Sequence, residues 1–316
     1  MFPPVDVVED HFLVTNDGHS VYYEVFGNPD GIPLVYLHGG PGVGTSVNAR
    51  MMFDPDVFRI VLLDQRGCGR SRPLASDPAA DCATNTTHHL LADLEEIREV
   101  LHIEQWLVVG FSWGTTLALA YGEQFPSRCR GILAGLVTTT SATEVHWITE
   151  DVGAIFPREH AQLTDFIPPE LRSFPVVDAY AEMLWGPDLV QAARAADEWC
   201  RWEDAHVSLA PGHRHFDKFD DPEFRLLFAR LVTHYWRHAA FLDEDQLFRD
   251  AYKLAHVPLV LIHGRFDVSS PLLTPWRLHQ LLPHSEFLVL EESGHGDGDD
   301  FMPTVQAALG RLSVTP

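Results

Sequence analysis

A serine placed between two glycines is the residue best suited to covalent chemistry in this sequence. The segment 110–114 reads GFSWG; the apolar run 107–109 precedes it, and a segment rich in Ala and Leu follows it. In this context the pattern G-x-S-x-G is typical of a tight turn from a strand into a helix, which exposes the serine hydroxyl at the head of the helix. The helix N-terminus favours negative charge that develops close to it. The pattern therefore predicts that Ser112 is a nucleophile.

An acid and a base follow this serine along the chain. A serine hydroxyl is a weak nucleophile until a neighbouring base takes its proton. Asp267 comes just after the apolar run 259–262, and His295 comes after the apolar run 287–290 between two glycines. The chain has 18 histidines, and His295 stands out because it follows the last predicted strand. We predict that Asp267 orients the ring of His295 and that His295 moves the proton of Ser112.

Two backbone amides are expected to bind the oxyanion that such a reaction forms. One is the amide of Trp113, the residue after the nucleophile. The other lies in the segment 38–42, which reads HGGPG and follows the apolar run 33–37. Pro41 has no N–H to donate, and Gly40 is the predicted second donor. The segment lacks the spacing of a phosphate-binding loop.

The elements that must position these residues are short buried strands that alternate with helices. Strands are predicted at 11–15, 20–26, 33–37, 58–63, 106–109, 130–136, 257–263 and 286–290, and helices at 86–101 and 113–125. This alternation predicts an α/β fold with a mostly parallel sheet and helices on both faces. Ligands bind such sheets outside the carboxyl ends of the strands, which is where the glycine-rich segments fall.

The composition changes after residue 139. From there to residue 248 the chain is rich in Trp, His and charged residues, has helical spacing, and is interrupted by prolines. We predict an α/β core formed by residues 1–139 and 249–316, with a mostly helical cap domain, 140–248, inserted into it.

Composition and charge exclude several classes of partner. The net charge of −23 disfavours binding to nucleic acids and to anionic membranes. No apolar run approaches the roughly 20 residues of a membrane span, and the first ten residues do not have the pattern of a signal peptide. The four scattered cysteines are expected to be free thiols in a reducing compartment. The sequence thus predicts a cytoplasmic protein, and it gives no prediction of oligomeric state.

Taken together, the motifs resemble those of the prolyl aminopeptidases, also called proline iminopeptidases, which have the α/β-hydrolase fold. The similar segments are HGGPG at 38–42, DQRGCGRS at 64–71, NTT at 85–87, GFSWGTTLALAYG at 110–122, HGRFD at 263–267 and SGHG at 293–296. The resemblance implies a serine peptidase that releases N-terminal proline from peptides without a cofactor. Its implied triad falls on the same Ser112, Asp267 and His295.

The resemblance also points to a substrate pocket, where this sequence departs from the family. The family holds the free amine of the substrate with acidic residues of the cap, and Glu203 matches one of them. A second carboxylate is replaced by Val232, at the start of the VTHYW segment that contains Tyr235, and the segment ending at Thr138 reads AGLVT instead of LRGIF. We expect Glu203, Tyr235, Val232 and Thr138 to contact the substrate. Loss of one carboxylate costs an ammonium group about 1.5–3 kcal/mol.

Three functions therefore remain open at the level of the sequence. The first is a serine hydrolase that cleaves N-terminal proline or a small residue from peptides through an acyl-enzyme. The second is an esterase, or an acyl or amide hydrolase of a small metabolite, whose pocket no longer depends on a free amine. The third is a ligand-binding protein without activity, against which the intact triad argues. No metal site is predicted, because neither the segment 213–215 nor the segment 297–300 has the spacing of metal ligands.

Overall fold

An eight-stranded sheet lies at the centre of the computed structural model, which describes residues 1–3, 5, 9–77 and 79–314. The strands are β1 (Glu9–Val14), β2 (Ser20–Gly27), β3 (Ile32–Leu37), β4 (Phe58–Leu63), β5 (Trp106–Phe111), β6 (Cys129–Gly135), β7 (Leu259–Gly264) and β8 (Glu286–Leu290). Their order across the sheet is β1-β2-β4-β3-β5-β6-β7-β8. The β1–β2 and β2–β4 pairs are antiparallel, and the other pairs are parallel. The prediction of a mostly parallel sheet is confirmed.

Eleven α-helices occur among the described residues. They are α1 (Val47–Arg50), α2 (Thr87–Val100), α3 (Trp113–Gln124), α4 (Ala142–Thr149), α5 (Pro157–Asp165), α6 (Val176–Trp185), α7 (Leu189–His206), α8 (Pro222–Arg237), α9 (Gln246–Arg249), α10 (Leu273–Leu281) and α11 (Phe301–Val314). Short 3-10 turns join several of them. None of the helices among the described residues combines the length and the apolar composition that crossing a membrane requires.

The inner parallel strands are buried along most of their length, which explains why they read as nearly continuous apolar runs. Every residue of β5 and β7 is buried, whereas β1, at one edge of the sheet, is mostly exposed. Strands covered by helices on both faces need apolar side chains in both directions. The predicted bounds of β4 and β8 agree with the structure, and the other predicted strands differ from it by one or two residues at one end or at both.

The stretch 140–248 is helical, with no strand among its residues, all of which the structure describes. Two of its helices begin at a proline, α5 at Pro157 and α8 at Pro222, where the missing N–H of proline costs nothing. The stretch has a hydrophobic cluster of its own that includes Tyr180, Trp199 and Trp202. We propose that it forms the cap, with the remaining chain as the core.

Helix α8 packs into both hydrophobic clusters. Leu227, Leu231 and Tyr235, spaced four residues apart, join the cluster of the sheet and its helices, whereas Phe228 and Val232 join the cluster of the helical stretch. Positions four apart share one face of a helix. The two faces of α8 therefore hold the helical stretch against the sheet.

Part of the chain differs from the sequence-based picture. Helices α10 and α11 were not predicted, and α3 ends at Gln124, one residue before the predicted end. Residues 4, 6–8, 78, 315 and 316 belong to the predicted core ranges but lie outside the described residues, as does part of the N-terminal segment that was interpreted as lacking a signal peptide.

Candidate active site

The turn between β5 and α3 places Ser112 at the carboxyl edge of the sheet. Ser112 has φ 54° and ψ −126°, and its amide donates to Gly135 O at 2.9 Å. A Cβ on Gly110 would lie 2.1 Å from Gly114 O, and a Cβ on Gly114 would lie 2.0 Å from Leu37 O. Both neighbouring glycines are thus required by packing, and the serine has a left-handed φ that non-glycine residues seldom adopt.

Ser112, His295 and Asp267 form a continuous line of hydrogen bonds. The Oγ of Ser112 lies 2.9 Å from Nε2 of His295, and Nδ1 of His295 lies 2.8 Å from Oδ2 of Asp267. A carboxylate only accepts, so Nδ1 carries the proton and Nε2 is free to accept from the serine hydroxyl. This is the geometry in which a histidine activates a serine. The catalytic role of the three residues stays a prediction.

The charges of this line stabilise one another. Burial alone would raise the pKa of Asp267, but the imidazoles of His295 and His263 outweigh it and hold that pKa below its ordinary value. Burial would lower the pKa of His295, but the Asp267 carboxylate outweighs it and raises that pKa. Asp267 is therefore ionised, and it stabilises the imidazolium that forms when His295 takes a proton.

Residues around Asp267 fix its orientation. Its Oδ1 accepts from the Ser269 hydroxyl at 2.9 Å and from the Ser270 amide at 3.1 Å. Nε2 of His263 lies 3.8 Å from Oδ2 and 2.9 Å from Ser270 O, to which it donates. Ser269 also lies 2.9 Å from Nδ1 of His295. None of the residues 263, 269 and 270 was predicted, although all lie within seven residues of the predicted acid.

The two predicted oxyanion donors border the same cavity as Ser112. Gly40 has φ +113°, a conformation suited to glycine, and a Cβ there would lie 2.6 Å from Gly42 N. Neither the amide of Gly40 nor that of Trp113 donates a hydrogen bond to another of the described residues. Both amides are therefore available to a ligand, and their role as an oxyanion hole stays a prediction.

A buried network supports this side of the cavity. The indole Nε1 of Trp113 donates to Oε1 of Gln65 at 2.8 Å, and Nε2 of Gln65 donates to His38 O at 3.0 Å. The amide of Gln65 donates to Nε2 of His38 at 3.1 Å. Burial lowers the pKa of His38 to about 4, so its ring is neutral and Nδ1–H donates to Gly39 O. The network ties the loop after β3 to the start of α3.

Of the four predicted substrate contacts, two line the cavity. Glu203 and Thr138 border it, together with Trp236. Tyr235 and Val232 lie outside that lining, contrary to expectation. Both point into the packed interior on either side of α8, whereas Trp236, the next residue of the helix, faces the cavity. Val232 and Tyr235 occupy positions that match the family pattern along the chain. The rotation of α8 about its axis, however, decides which of its side chains faces the cavity.

Tyr235 supports the site from behind. Its ring centroid lies 4.5 Å from that of Trp113, and its hydroxyl donates to Oδ1 of Asn85 at 2.6 Å. Asn85 belongs to the NTT segment and in turn donates through Nδ2 to Arg66 O at 3.1 Å. These contacts join α8 to the nucleophile turn and to the loop after β4. The segments VTHYW, GFSWG, NTT and DQRGCGRS therefore meet at one place in the fold.

Glu203 presents a largely buried carboxyl group to the cavity, with 12% of its side chain exposed. Its Oε1 accepts from the indole Nε1 of Trp199 at 3.0 Å, and its Oε2 lies 3.8 Å from Nε2 of His206. Burial raises the pKa of Glu203 to about 8, against the opposing effects of Trp199 and His295. Burial lowers the pKa of His206 to about 3. Glu203 therefore keeps its proton to higher pH than an ordinary carboxyl group does.

A second carboxyl group in the lining, Glu144, was not predicted. Its Oε2 accepts from the Thr138 hydroxyl at 2.7 Å and from the amides of Thr139 and Thr140 at 2.8 Å each, and its Oε1 accepts from the Thr274 hydroxyl. The pattern Ser141-x-x-Glu144 was the available signal, because it is typical of a helix N-terminus. With four donors around it, Glu144 holds the cavity wall in place.

Comparisons with known proteins place this geometry in context. Residues 32–158 match the family model described as alpha/beta hydrolase fold. The chain is 42% identical over 302 residues to a probable proline iminopeptidase of Streptomyces coelicolor, covering 94% of this chain and 93% of the relative. It is 37% identical to a proline iminopeptidase of Arabidopsis thaliana, covering 98% of this chain and 80% of the relative. A crystal structure of a proline iminopeptidase of Mycobacterium smegmatis has a TM-score of 0.67 at 20% identity, covering 97% and 99% of the two chains.

Proposed function

Because the chain belongs to the proline iminopeptidase family of enzymes with the α/β-hydrolase fold, we propose that it releases N-terminal proline from small peptides through an acyl-enzyme on Ser112. The observation that carries the proposal is the hydrogen-bonded line from Ser112 to Asp267 beside a cavity that contains the carboxyl group of Glu203. A nucleophile and a group that can bind an amine thus share one small space.

The first half of the reaction forms the acyl-enzyme. Ser112 Oγ attacks the carbonyl carbon of the first residue while Nε2 of His295 takes the hydroxyl proton, and Asp267 stabilises the imidazolium. The amides of Gly40 and Trp113 donate to the oxygen that becomes negative. The C–N bond then breaks, and His295 gives its proton to the leaving amine.

The second half releases the acyl group. A water molecule attacks the ester carbonyl while Nε2 of His295 takes one of its protons, and the same proton returns to Ser112 Oγ when the ester bond breaks. The products are free proline and the shortened peptide, and the protein returns to its starting state. Every step uses only the three residues of the hydrogen-bonded line, the two backbone amides and water.

Glu203 supports selection for a free N-terminus. A substrate ammonium group close to Glu203 favours the ionised carboxyl, so binding of a cation lowers a pKa that burial has raised to about 8. The lining also includes the apolar residues Val207, Ile148 and Trp236, which suit a pyrrolidine ring. Glu144 has four donors of its own and contributes little to binding a cation.

A second candidate function is hydrolysis of an ester or amide with a neutral acyl group. The same carboxyl group favours it, because a protonated Glu203 is uncharged and donates a hydrogen bond to a neutral acceptor. Three substrates separate the two functions: a proline aryl amide, the same amide with its nitrogen acetylated, and a short-chain aryl ester.

We expect the free proline amide to have a kcat/KM about 10 to 100 times that of the acetylated amide, because an ion-paired hydrogen bond contributes about 1.5–3 kcal/mol. Faster turnover of the acetylated amide or of the ester would favour the second function. A fluorophosphonate probe should label the protein but not the Ser112→Ala variant, and an unlabelled wild-type protein would contradict a serine mechanism.

We also infer a cytoplasmic location. The cysteines Cys68, Cys82, Cys129 and Cys200 are all free and buried, which supports a protein that works in a reducing compartment. Burial raises the pKa of each thiol, so that none of them competes with Ser112 as a nucleophile at neutral pH.

A further inference from the structure

The hydroxyl group of Ser269 lies between the acid and the base of the site. Its Oγ is 2.9 Å from Oδ1 of Asp267 and 2.9 Å from Nδ1 of His295. Nδ1 is at the same time 2.8 Å from Oδ2 of Asp267. The hydroxyl, the imidazole nitrogen and the carboxylate thus form a closed ring of three contacts.

Only one arrangement of protons satisfies the three contacts. Nε2 of His295 accepts from Ser112, so the proton of the neutral ring is on Nδ1. That proton faces two acceptors, Oδ2 of Asp267 and Oγ of Ser269, whose distances from Nδ1 differ by only 0.1 Å (2.9 − 2.8). The hydroxyl hydrogen of Ser269 then has Oδ1 of Asp267 as its acceptor. Ser269 therefore accepts from the base and donates to the acid.

The backbone holds Ser269 in this place. The next residue, Ser270, donates its amide to Oδ1 of Asp267 at 3.1 Å and its hydroxyl to Val137 O, and its carbonyl accepts from Nε2 of His263 at 2.9 Å. All of these partners are buried. The position of Ser269 is consequently fixed before any substrate enters, as a residue that orients a catalytic group requires.

We propose that Ser269 is a positioning residue for His295. The Ser269 hydroxyl shares the Nδ1 proton with Asp267 and thereby fixes the imidazole ring in the orientation that directs Nε2 towards Ser112. The proposal rests on the triad of the proposed function. With Asp267 as the only acceptor of the Nδ1 proton, a single hydrogen bond would hold that side of the ring. A second acceptor on the same N–H restrains the ring further and remains in contact when the ring becomes an imidazolium.

A competing role is direct contact with the substrate, because Ser269 also borders the cavity. The two roles differ in what they change. A residue that orients the base changes kcat and the bonding of the Nδ1 proton, whereas a residue that binds substrate changes KM. The Nδ1 proton gives a resonance at very low field in the proton NMR spectrum, which reports on its acceptors without any substrate.

The test compares Ser269→Ala with Ser269→Thr and Ser269→Cys. For S269A we expect kcat, and the rate of labelling by a fluorophosphonate, to fall about tenfold with KM unchanged. The Nδ1 resonance should move further downfield, because a proton with one acceptor forms a shorter bond than a shared one. S269T keeps the hydroxyl and should behave like the wild type, and S269C, with a weaker donor and acceptor, should lie between. A His295→Gln variant assigns the resonance by removing it.

A matched control is Ser285→Ala. Ser285 is a buried serine whose Oγ lies 2.9 Å from Nδ1 of another histidine, His279, and it does not border the cavity. S285A should leave kcat and the low-field resonance unchanged.

Three results would overturn the proposal: an S269A resonance at the wild-type position, a raised KM with unchanged kcat, or, where S269A does not fold, an S269C variant equal to the wild type. Failure of the proposed function is distinguishable, because a wild type that reacts with the fluorophosphonate but not with proline amides contradicts only the substrate.

Discussion

The protonation state of Glu203 decides which ligands the cavity can hold. Its carboxyl group is largely buried, has one indole donor at 3.0 Å, and faces no Lys or Arg among its described contacts. A buried carboxyl in such surroundings keeps its proton to higher pH than usual. Its charge therefore appears when a cation arrives, which couples ionisation to the binding of an N-terminal amine.

Replacing Glu203 with Gln should weaken the binding of free-amine substrates. The amide has nearly the same size and keeps an acceptor for Trp199, but it cannot ionise. We expect KM for a proline aryl amide to rise about 10- to 100-fold, while the kcat/KM of a short-chain aryl ester stays within about twofold. Steady-state kinetics at pH 7.5 measures both. Equal losses for the two substrates would show that Glu203 does not act on the amine.

The same carboxyl makes stability depend on pH. The pKa of Glu203 is about 8 in the folded protein against an ordinary 4.5, so between these values the unfolded chain is ionised while the folded one keeps its proton. Its contribution to stability is thus fully present below pH 4.5 and is lost as the pH rises through 8. We expect the melting temperature of the wild type to fall relative to that of Glu203→Gln between pH 5 and 9. A constant difference would contradict the raised pKa.

Among the helices, α8 connects the sheet and the nucleophile turn to the other helices of the stretch 140–248. Arg230 lies in its middle, is buried, and donates to Leu184 O and Ala75 O at 2.9 Å each, with its guanidinium 4.7 Å from the centroid of the Trp185 ring. One carbonyl belongs to the helical stretch and the other to the chain before β5. A single side chain therefore joins the two parts.

Replacing Arg230 with Ala should destabilise the protein by about 2–4 kcal/mol, because two buried carbonyls lose charged donors and a cavity is left. Urea denaturation measures the change. Arg237 of the same helix is the control: it is partly exposed and pairs with Asp178 and Glu182, so Arg237→Ala should cost less than about 1 kcal/mol. Similar values for the two variants would contradict the special role of Arg230.

At the scale of the whole molecule, the net charge of the protein is opposite in sign to the charge of the substrate's amine. The net charge is −23, and the proposed substrate carries an ammonium group at the end that enters the cavity. Acidic side chains lie around the groove beside His295, among them Glu291, Asp297 and Asp299. Such a field raises the local concentration of cations, and salt weakens it.

We therefore expect kcat/KM for a proline amide to fall about two- to tenfold between 20 mM and 500 mM salt, because salt screens this attraction. The kcat/KM of a neutral aryl ester should remain nearly constant. An identical salt response of both substrates would show that the net charge serves another purpose.

Much of this molecule could be predicted from its sequence. The strands were found because buried parallel strands are apolar on both faces, and the nucleophile turn was found because Gly110 and Gly114 have no room for a Cβ. Helix α10 was missed because its apolar residues do not form one face: Leu278 is buried, whereas Leu273 and Trp276 are exposed.

The cavity was harder to predict because it depends on contacts between distant segments. Glu144 receives a hydrogen bond from Thr274, which lies 130 residues away along the chain, and no local pattern carries that information. Val232 and Tyr235 were expected to contact the substrate, but their side chains pack into the interior on sides of α8 that do not face the cavity. A sequence position gives the element, and only tertiary packing gives the direction of the side chain.

The helical stretch enters after β6 and returns before β7, and these two strands are hydrogen-bonded neighbours in the sheet. The two points at which it joins the sheet are therefore side by side. The serine precedes the stretch, while the acid and the base follow it, so an exchange of its residues changes what the cavity accepts without lengthening any strand that carries a reacting group. Selectivity can diverge here while the chemistry stays the same, provided that the replacement keeps the face of α8 that packs on the sheet.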